Sequence, residues 1–584
     1  MRSLSLLAAA GIALSACADP IDLPDAGPDS GPQPEAGPRD ADPQDSGDAR
    51  DVGIDAGDEA DSGTETDAGV HPDAEIPDSG GITCTPNGRQ HYMLGSAQNP
   101  QTVTFGAGLA TERTVDLDGA YLASFDSGGC FEWLARIPSD QTSFGGVKLI
   151  TDAAGNIYIP VDLLAMTTFH NADDSVAWSV TSTSAGGNAE TYTRGVAVVS
   201  YDKDGQFRWG KRIGNAAVQP EAKGYAVESI ELVNGTLRIA VSVNGSTRGS
   251  AENYEIIAGR GEPNETRISI GRRYQFGFTA ALSADTGALV ADSLRINRPQ
   301  LDGTAYSLRH NGRGAMQPAQ DGSTALGLLY VGNPASYDLN WGRMDQTTVQ
   351  VSQRFVAGFL RYTSAGDVAW HRFAGATTGG MSLFASAMLA DGSTLFTGSS
   401  SANADFEGSA GVSNLPKGAT GYLVRYTASG DIAWLRGIAG RGLSALHVDE
   451  SRQALFAHGI GSDSLTFGVG DSDAVTEMVD GMFIARFNLQ TGALEWISKV
   501  DTATGSFRGI TIIGDELIVS TRFDNLATFE PGDPNEAVIR ASTIWSGHAV
   551  YDVNDGAFGG VLPYIEHRGT PRNDGLNIGA VYQP

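Results

Sequence analysis

Three cysteines and nine histidines are the side chains best suited to nucleophilic or metal chemistry in this 584-residue chain, and their spacing argues against both. Cys17, Cys84 and Cys130 are too few and too far apart for a paired-cysteine zinc site. The histidines are dispersed. His71 lies in a polar tract, His371, His447 and His458 in separate strand or turn patterns, and Glu566-His567 has no companion motif. No G-x-S-x-G elbow, H-E-x-x-H helix or G-x-x-x-x-G-K-[ST] loop occurs. Asp116-Leu-Asp-Gly119 and Asp202-Lys-Asp-Gly205 carry the chemistry of tight turns without the further spaced carboxylates of a calcium loop. The expectation is a chain with no catalytic residues, metal or cofactor, whose chemistry is recognition.

The segments that must position any recognition surface begin after a long polar stretch. From Ala18 to Gly81 there are 15 Asp and 4 Glu against 2 Arg, a local net charge of −17 out of −30 for the whole chain. So little apolar surface cannot offset ordering entropy, and the segment reads as a disordered, self-repelling spacer. With 39 Lys+Arg against 69 Asp+Glu, the chain also lacks the basic footprint that nucleic acid requires. The 75 glycines follow no triplet, which excludes collagen and implies many turns. Before the spacer, Met1-Arg2 and the apolar run Leu4–Leu14 form a signal-peptide pattern too short to span a membrane. It ends in Leu14-Ser15-Ala16-Cys17, which resembles the lipobox of bacterial lipoproteins. The resemblance implies a signal peptide over 1–16, lipidation of Cys17, and a membrane partnership through that lipid. Ala18 rather than Asp after the cysteine favours the outer membrane of the cell envelope.

The remaining residues, 84–584, repeat one pattern. Tyr426-Thr-Ala-Ser-Gly-Asp-Ile-Ala-Trp434 nearly duplicates Tyr362-Thr-Ser-Ala-Gly-Asp-Val-Ala-Trp370. The string recurs at Phe125–Trp133, Tyr201–Trp209 and Phe487–Trp496, and in degenerate form, without the tryptophan, at Leu282–Ala291 and Tyr551–Gly560. Each copy is strand, glycine turn, strand; a second hairpin, such as Val147–Val161 or Ile510–Val519, lies between copies. Two hairpins per unit predict an all-β fold: a seven-bladed β-propeller with four antiparallel strands per blade. The five tryptophans at one register read as packing residues between blades.

The chain ends complete the count. Gly575–Tyr582 echoes the first strand at Gly442–Val448, and Gly88–Ser96 echoes the second strand at Gly392–Ser399. One blade is therefore expected to combine one C-terminal strand with three N-terminal strands. Cys84 then precedes a second strand and Cys130 a fourth, on the same side of that blade. In an oxidising compartment this predicts a Cys84–Cys130 disulfide.

The aromatic–turn–Gly–x–apolar–x–Trp string resembles the SBBP repeats of exported bacterial propellers and, more distantly, quinoprotein repeats. Quinoprotein dehydrogenases carry eight blades and an adjacent cysteine pair; this chain has seven repeats and no Cys-Cys, so no quinone cofactor is expected.

Length varies chiefly between second and third strands, where 164–193, 246–276 and 333–354 are expanded and other units appear short. These insertions project from the face opposite the spacer. They carry Tyr254, Arg260, Arg267, Arg272, Arg273, Tyr274, Tyr337, Trp341 and Arg343, an aromatic–arginine mixture typical of contact hot spots. The reading is a lipid-anchored, non-catalytic scaffold that binds an unknown protein or glycan on this face, with no nucleic-acid partner. A periplasm-facing outer-membrane assembly factor is the alternative, and an enzyme with its site at the central channel a more distant one.

Overall fold

A computed structural model describes Cys84 and most of residues 89–582. Left out are 1–83, 85–88, 108, 139–141, 144–148, 164–166, 181–194, 216–221, 246–253, 259–264, 271–274, 292, 301–306, 310–315 and 320. So are 332–334, 341–346, 352–354, 365–366, 377–379, 401–402, 441, 535, 569–577 and 583–584. The predicted signal peptide, Cys17 and the spacer therefore lie outside the described residues.

The described residues are all-β, with no helix. Their strands pair into antiparallel four-strand meanders, each ending in one copy of the repeat. Meander 2 runs Ile150–Thr151, Ile157–Leu163, Gly195–Tyr201, Phe207–Asn215. Meander 3 runs Ala222–Val233, Thr236–Gly245, Gln275–Ser283, Arg295–Gln300. Meander 4 runs Met316–Pro318, Thr324–Val331, Phe355–Tyr362, Val368–Ala376. Meander 5 runs Met381–Met388, Thr394–Ser400, Gly421–Tyr426, Ile432–Ala439. Meander 6 runs Leu443–Asp449, Ala454–Phe467, Val475–Asn488, Leu494–Asp501. Meander 7 runs Gly505–Ile513, Glu516–Phe529, Ala537–Asp552, Phe558–Arg568. Meander 1 joins the chain ends: Ile578–Tyr582 pairs antiparallel with Gln90–Leu94, and Gln90–Phe105, Arg113–Asp126 and Phe131–Ile137 follow.

The middle strands are buried along their whole length, as in Gly195–Tyr201 and Gly421–Tyr426. Period-2 geometry explains why an unbroken apolar run is needed there: successive side chains point to opposite faces, and both faces are covered. Val196 and Val198 enter a core shared with meander 3, whereas Ala197, Val199 and Tyr201 enter one shared with meander 1. The core is thus a series of interfaces between consecutive meanders.

The tryptophans join these interfaces at one end of each fourth strand. Trp370 Nε1 donates to Ala428 O at 3.1 Å, on the third-to-fourth turn of the next meander. The same arrangement links Trp133 to Lys203 O, Trp209 to Ala284 O, Trp434 to Leu489 O and Trp496 to Val553 O, at 2.9–3.3 Å. The turn glycine lies under the indole. Gly430 has φ +81°, and a β-carbon there would sit 2.8 Å from the Trp370 ring, so the turn and the close approach both require glycine. In three of the five cases an arginine just before the repeat's aromatic residue reaches the same carbonyl: Arg361 to Ala428 O, Arg425 to Leu489 O and Arg486 to Val553 O.

The other end of each fourth strand is joined through the backbone. Each second-to-third connection forms a β-hairpin, and six of the seven pair with the fourth strand of the preceding meander. Ile213–Asn215 pairs with Ile256–Ala258, Arg298–Gln300 with Asp338–Asn340, and Ala374–Ala376 with Ala404–Phe406. Ile438–Ala439 pairs with Thr466–Phe467, and Val500–Asp501 with Thr528–Phe529. Thr168 N donates to Pro138 O between meanders 1 and 2, and Thr102–Phe105 pairs with Ile565–Arg568 between meanders 1 and 7.

The degenerate repeats leave two junctions without a tryptophan. In meander 3 the fourth strand is interrupted between a bridge at Leu289 and Arg295. Between meanders 7 and 1, Arg89 pairs with Glu516, and two buried imidazoles meet with His91 Nδ1 and His548 Nδ1 3.2 Å apart. Cys84 and Cys130 form the expected disulfide, with Cα atoms 5.8 Å apart. By the loop-entropy relation, closing 46 residues stabilises by about 4 kcal/mol.

Asp202-Lys-Asp-Gly205 is the tight turn its composition implies, with Asp202 Oδ1 accepting from the amides of Asp204 and Gln206. Asp116-Leu-Asp-Gly119 is not: it lies inside the strand Arg113–Asp126, where Gly119 sits beside a register shift.

Two expected outcomes test this packing. Trp370→Ala should cost about 3–5 kcal/mol in denaturant unfolding. Tyr426 is fully buried with its hydroxyl unpartnered among the described residues, so Tyr426→Phe should be neutral or stabilising by up to about 1 kcal/mol. A third concerns acid. Burial, reinforced by Arg89, lowers His91 from the ordinary 6.5 to about 3, and burial, reinforced by Arg508, lowers His458 to about 4. Between those values the unfolded chain binds more protons, so stability held above pH 6.5 is lost as pH falls towards 4 and then 3. The loss is about 1.4 kcal/mol per histidine per pH unit. Tm should fall over pH 6.5–4, less steeply in His458→Phe; equal slopes would contradict it.

Candidate interaction surface

Of the sequence-predicted contact residues, Arg260, Arg272, Arg273, Tyr274, Trp341 and Arg343 lie outside the described residues. Three are placed. Tyr254 pairs through its backbone with Ile270, and Tyr337 with Val349, each on the first strand of a hairpin. Arg267 lies opposite Ile257 on the second strand of the meander 3 hairpin, exposed and ion-paired with Glu265. The insertions expected in meanders 2, 3 and 4 are thus β-hairpins: Thr167–His170 with Val176–Val180, Tyr254–Ala258 with Thr266–Ile270, and Ala335–Asn340 with Thr347–Val351.

The other meanders depart from the short connections expected of them. In meander 6, Ala454–Phe467 and Val475–Asn488 run as single 14-residue strands whose outer halves form the hairpin. Meander 7 does the same, with Leu526–Phe529 paired to Ala537–Arg540. Meander 1 pairs Gln101–Phe105 with Arg113–Leu117 past a bulge, and meander 5 adds Ala404–Gly408 with Gly411–Asn414. In meanders 6 and 7 the extensions escaped the sequence reading because no turn residues separate them from the strands they prolong.

Their surface composition is distinctive. Among the described residues the exposed large apolar side chains are Val176, Val290, Val412, Ile460, Met478 and Leu526; Val176, Val412, Met478 and Leu526 lie on these hairpins. Met478, Val176 and Val412 are 67%, 63% and 61% exposed. Isolated exposed apolar residues are ordinary, but the placement of four of the six on one kind of element is not. No local feature of the sequence separates them from the apolar residues of the core; the strand register does.

Charged groups fix the hairpin turns. Arg436 of meander 5 reaches Asp471 at 2.7 Å and Asp473 at 2.8 Å on the meander 6 hairpin. Lys499 pairs with Glu477 at 2.7 Å. Glu530 is pushed up to about 7 by burial, with Asp533 adding to the effect; its amide donates to Lys499 O and its carboxyl accepts from Ser498. These contacts cross between meanders 6 and 7 and hold the two together. No group of three or more metal-ligating side chains occurs among the described residues.

No family model matches the chain, and no curated protein matches it. Similar solved structures include the dihydro-heme d1 dehydrogenase NirN in complex with DHE, at 10% identity, covering 75% of this chain and 74% of that one, with a TM-score of 0.28. A trypsin-activated alpha-2-macroglobulin from Escherichia coli is similar at 10% identity, covering 85% of this chain and 55% of that one, with a TM-score of 0.09.

Proposed function

We propose that the chain is a lipid-anchored scaffold of the bacterial cell envelope, whose closed seven-bladed β-propeller (84–584) binds a protein partner through the hairpin-bearing face. The propeller reading rests on the antiparallel joint of Ile578–Tyr582 with Gln90–Leu94 and on hairpin links that run through all seven meanders and from the seventh to the first. The anchor rests on the lipobox-like Leu14-Ser15-Ala16-Cys17, with 17–83 as lipidated cysteine and spacer. The observation that carries the binding function is the placement of four of the six exposed large apolar side chains, Val176, Val412, Met478 and Leu526, on the hairpins. An apolar array framed by charged pairs has the composition of a protein contact, and it favours a protein over a glycan.

The test has two arms in the native cell. Cys17→Ala should abolish incorporation of labelled palmitate and shift the protein out of the membrane fraction. A photo-crosslinking residue at Val412 should give one discrete adduct, lost in Met478→Asp or Leu526→Asp, while the same residue at Thr363 on the turn face should give none. Exposed substitutions of this kind leave stability within about 0.5 kcal/mol. Crosslinking that is equal on both faces, or unchanged by the Asp substitutions, contradicts the assignment.

A further inference from the structure

The Cys84–Cys130 disulfide closes a covalent loop over a separation of 46 residues, and that loop contains the strand on which the chain ends meet. Gln90–Phe105 lies wholly inside it. One edge of this strand pairs with Ile578–Tyr582 and Ile565–Arg568, and the other with Arg113–Asp126. Arg89, which pairs with Glu516, and His91, in contact with His548, lie in the same stretch. Among the described residues, every backbone rung that joins the N-terminal strands to the C-terminal end of the chain is on this one strand.

A chain pulled from its N-terminus would, without the disulfide, carry tension straight into Gln90. The rungs of an end-loaded strand are strained one after another, so Gln90 would part from Tyr582 and Asp126 first, and the joint would open by peeling. The disulfide diverts that path. No displacement of Cys84 can extend the segment between the cysteines unless Cys130 moves with it.

Cys130 is placed to resist. It is buried in the turn between Arg113–Asp126 and Phe131–Ile137. Its amide donates to Asp126 Oδ1 at 2.9 Å, and its carbonyl accepts from the Asp126 amide at 2.9 Å. Asp126 Oδ1 also accepts from the Gly128 amide at 2.8 Å. Phe131 packs on Phe105 and Phe125, and Trp133 donates to Lys203 O in meander 2. Displacing Cys130 therefore moves two paired strands and their core together instead of freeing rungs in series. We propose that the disulfide is a tension bypass: pull on the N-terminal segment enters the fold at the buried Cys130 turn and spares the strand that joins the chain ends. The inference rests on the tethered reading above, since only an anchored chain is pulled at Cys84.

Optical tweezers test this on the purified full-length protein, carrying Cys17→Ser and azido handles at Asp40 and Val412. With the disulfide intact, the first unfolding event should need about twofold more force than after phosphine reduction of the same mounted molecule. The reduced molecule should open by an early low-force step, and its fully extended length should gain roughly 150–165 Å from the 46 freed residues. Cys84→Ser should behave as the reduced protein; reduction of a molecule already folded gives the same reading should that variant fail to fold. Handles at Val176 and Val412 separate a bypass from general stabilisation, because there reduction should leave the first-event force unchanged. Equal first-event forces from Asp40 before and after reduction, or an equal fall from Val176, overturn the proposal. These forces are read without a lipid, so they stand or fall separately from the palmitate arm above.

Discussion

The fold depends on the fixing of each fourth strand at both of its ends to the meander that follows. At one end an indole lies over a glycine turn and donates to its carbonyl; at the other, two or three backbone rungs connect to a hairpin. A four-strand meander alone has two apolar faces and one edge open to further pairing. The following meander covers one face and supplies the hairpin that occupies that edge. Stability is therefore a property of neighbours. It accounts for a 584-residue chain with no helix among its described residues.

The two ends tolerate change differently. The tryptophan end depends on one side chain and one glycine, and it is missing where Ala291 and Gly560 stand at the tryptophan register. The backbone end depends on no particular side chain and persists at both of those junctions, between Arg298–Gln300 and Asp338–Asn340 and between Thr102–Phe105 and Ile565–Arg568. Where the tryptophan is missing at the junction of chain ends, other contacts take its place. The disulfide, the Arg89–Glu516 pair and the buried His91–His548 contact lie at or beside that junction. Two imidazoles in contact inside a core disfavour the charged form of both, so this junction, like the one where His458 packs on Phe507, is an acid-sensitive part of the interface series.

What was legible in the sequence follows the same division. Tryptophan, turn glycine and aromatic partner are rare residue types at fixed spacing, so the repeat, the joining of the termini and the disulfide could all be read from them. The arginine before the aromatic residue, in Arg361-Tyr362, Arg425-Tyr426 and Arg486-Phe487, was equally visible and was missed, because a charged residue in a strand resembles a solvated one. The hairpin links were not legible. Backbone pairing leaves no compositional mark, and a strand such as Ala454–Phe467 passes from core to hairpin without a turn residue. The sequence reading placed its candidate contact residues in three insertions with conspicuous arginine and aromatic content; Met478, Val412 and Leu526 became distinguishable as exposed only when register placed them outside the core.

The same geometry separates two kinds of surface. Turns at the tryptophan end must be short, because each receives an indole and cannot move without losing that contact; the conserved spacing from glycine to tryptophan within this chain reflects that limit. Hairpins at the other end are held by backbone rungs and turn amides that specify no side chain, so their length and composition can differ among meanders. Recognition of a large, irregular partner suits a surface that varies in this way. The tryptophans thus hold the turn side to one geometry, and backbone pairing leaves the side chains of the hairpin side free to differ from one meander to the next.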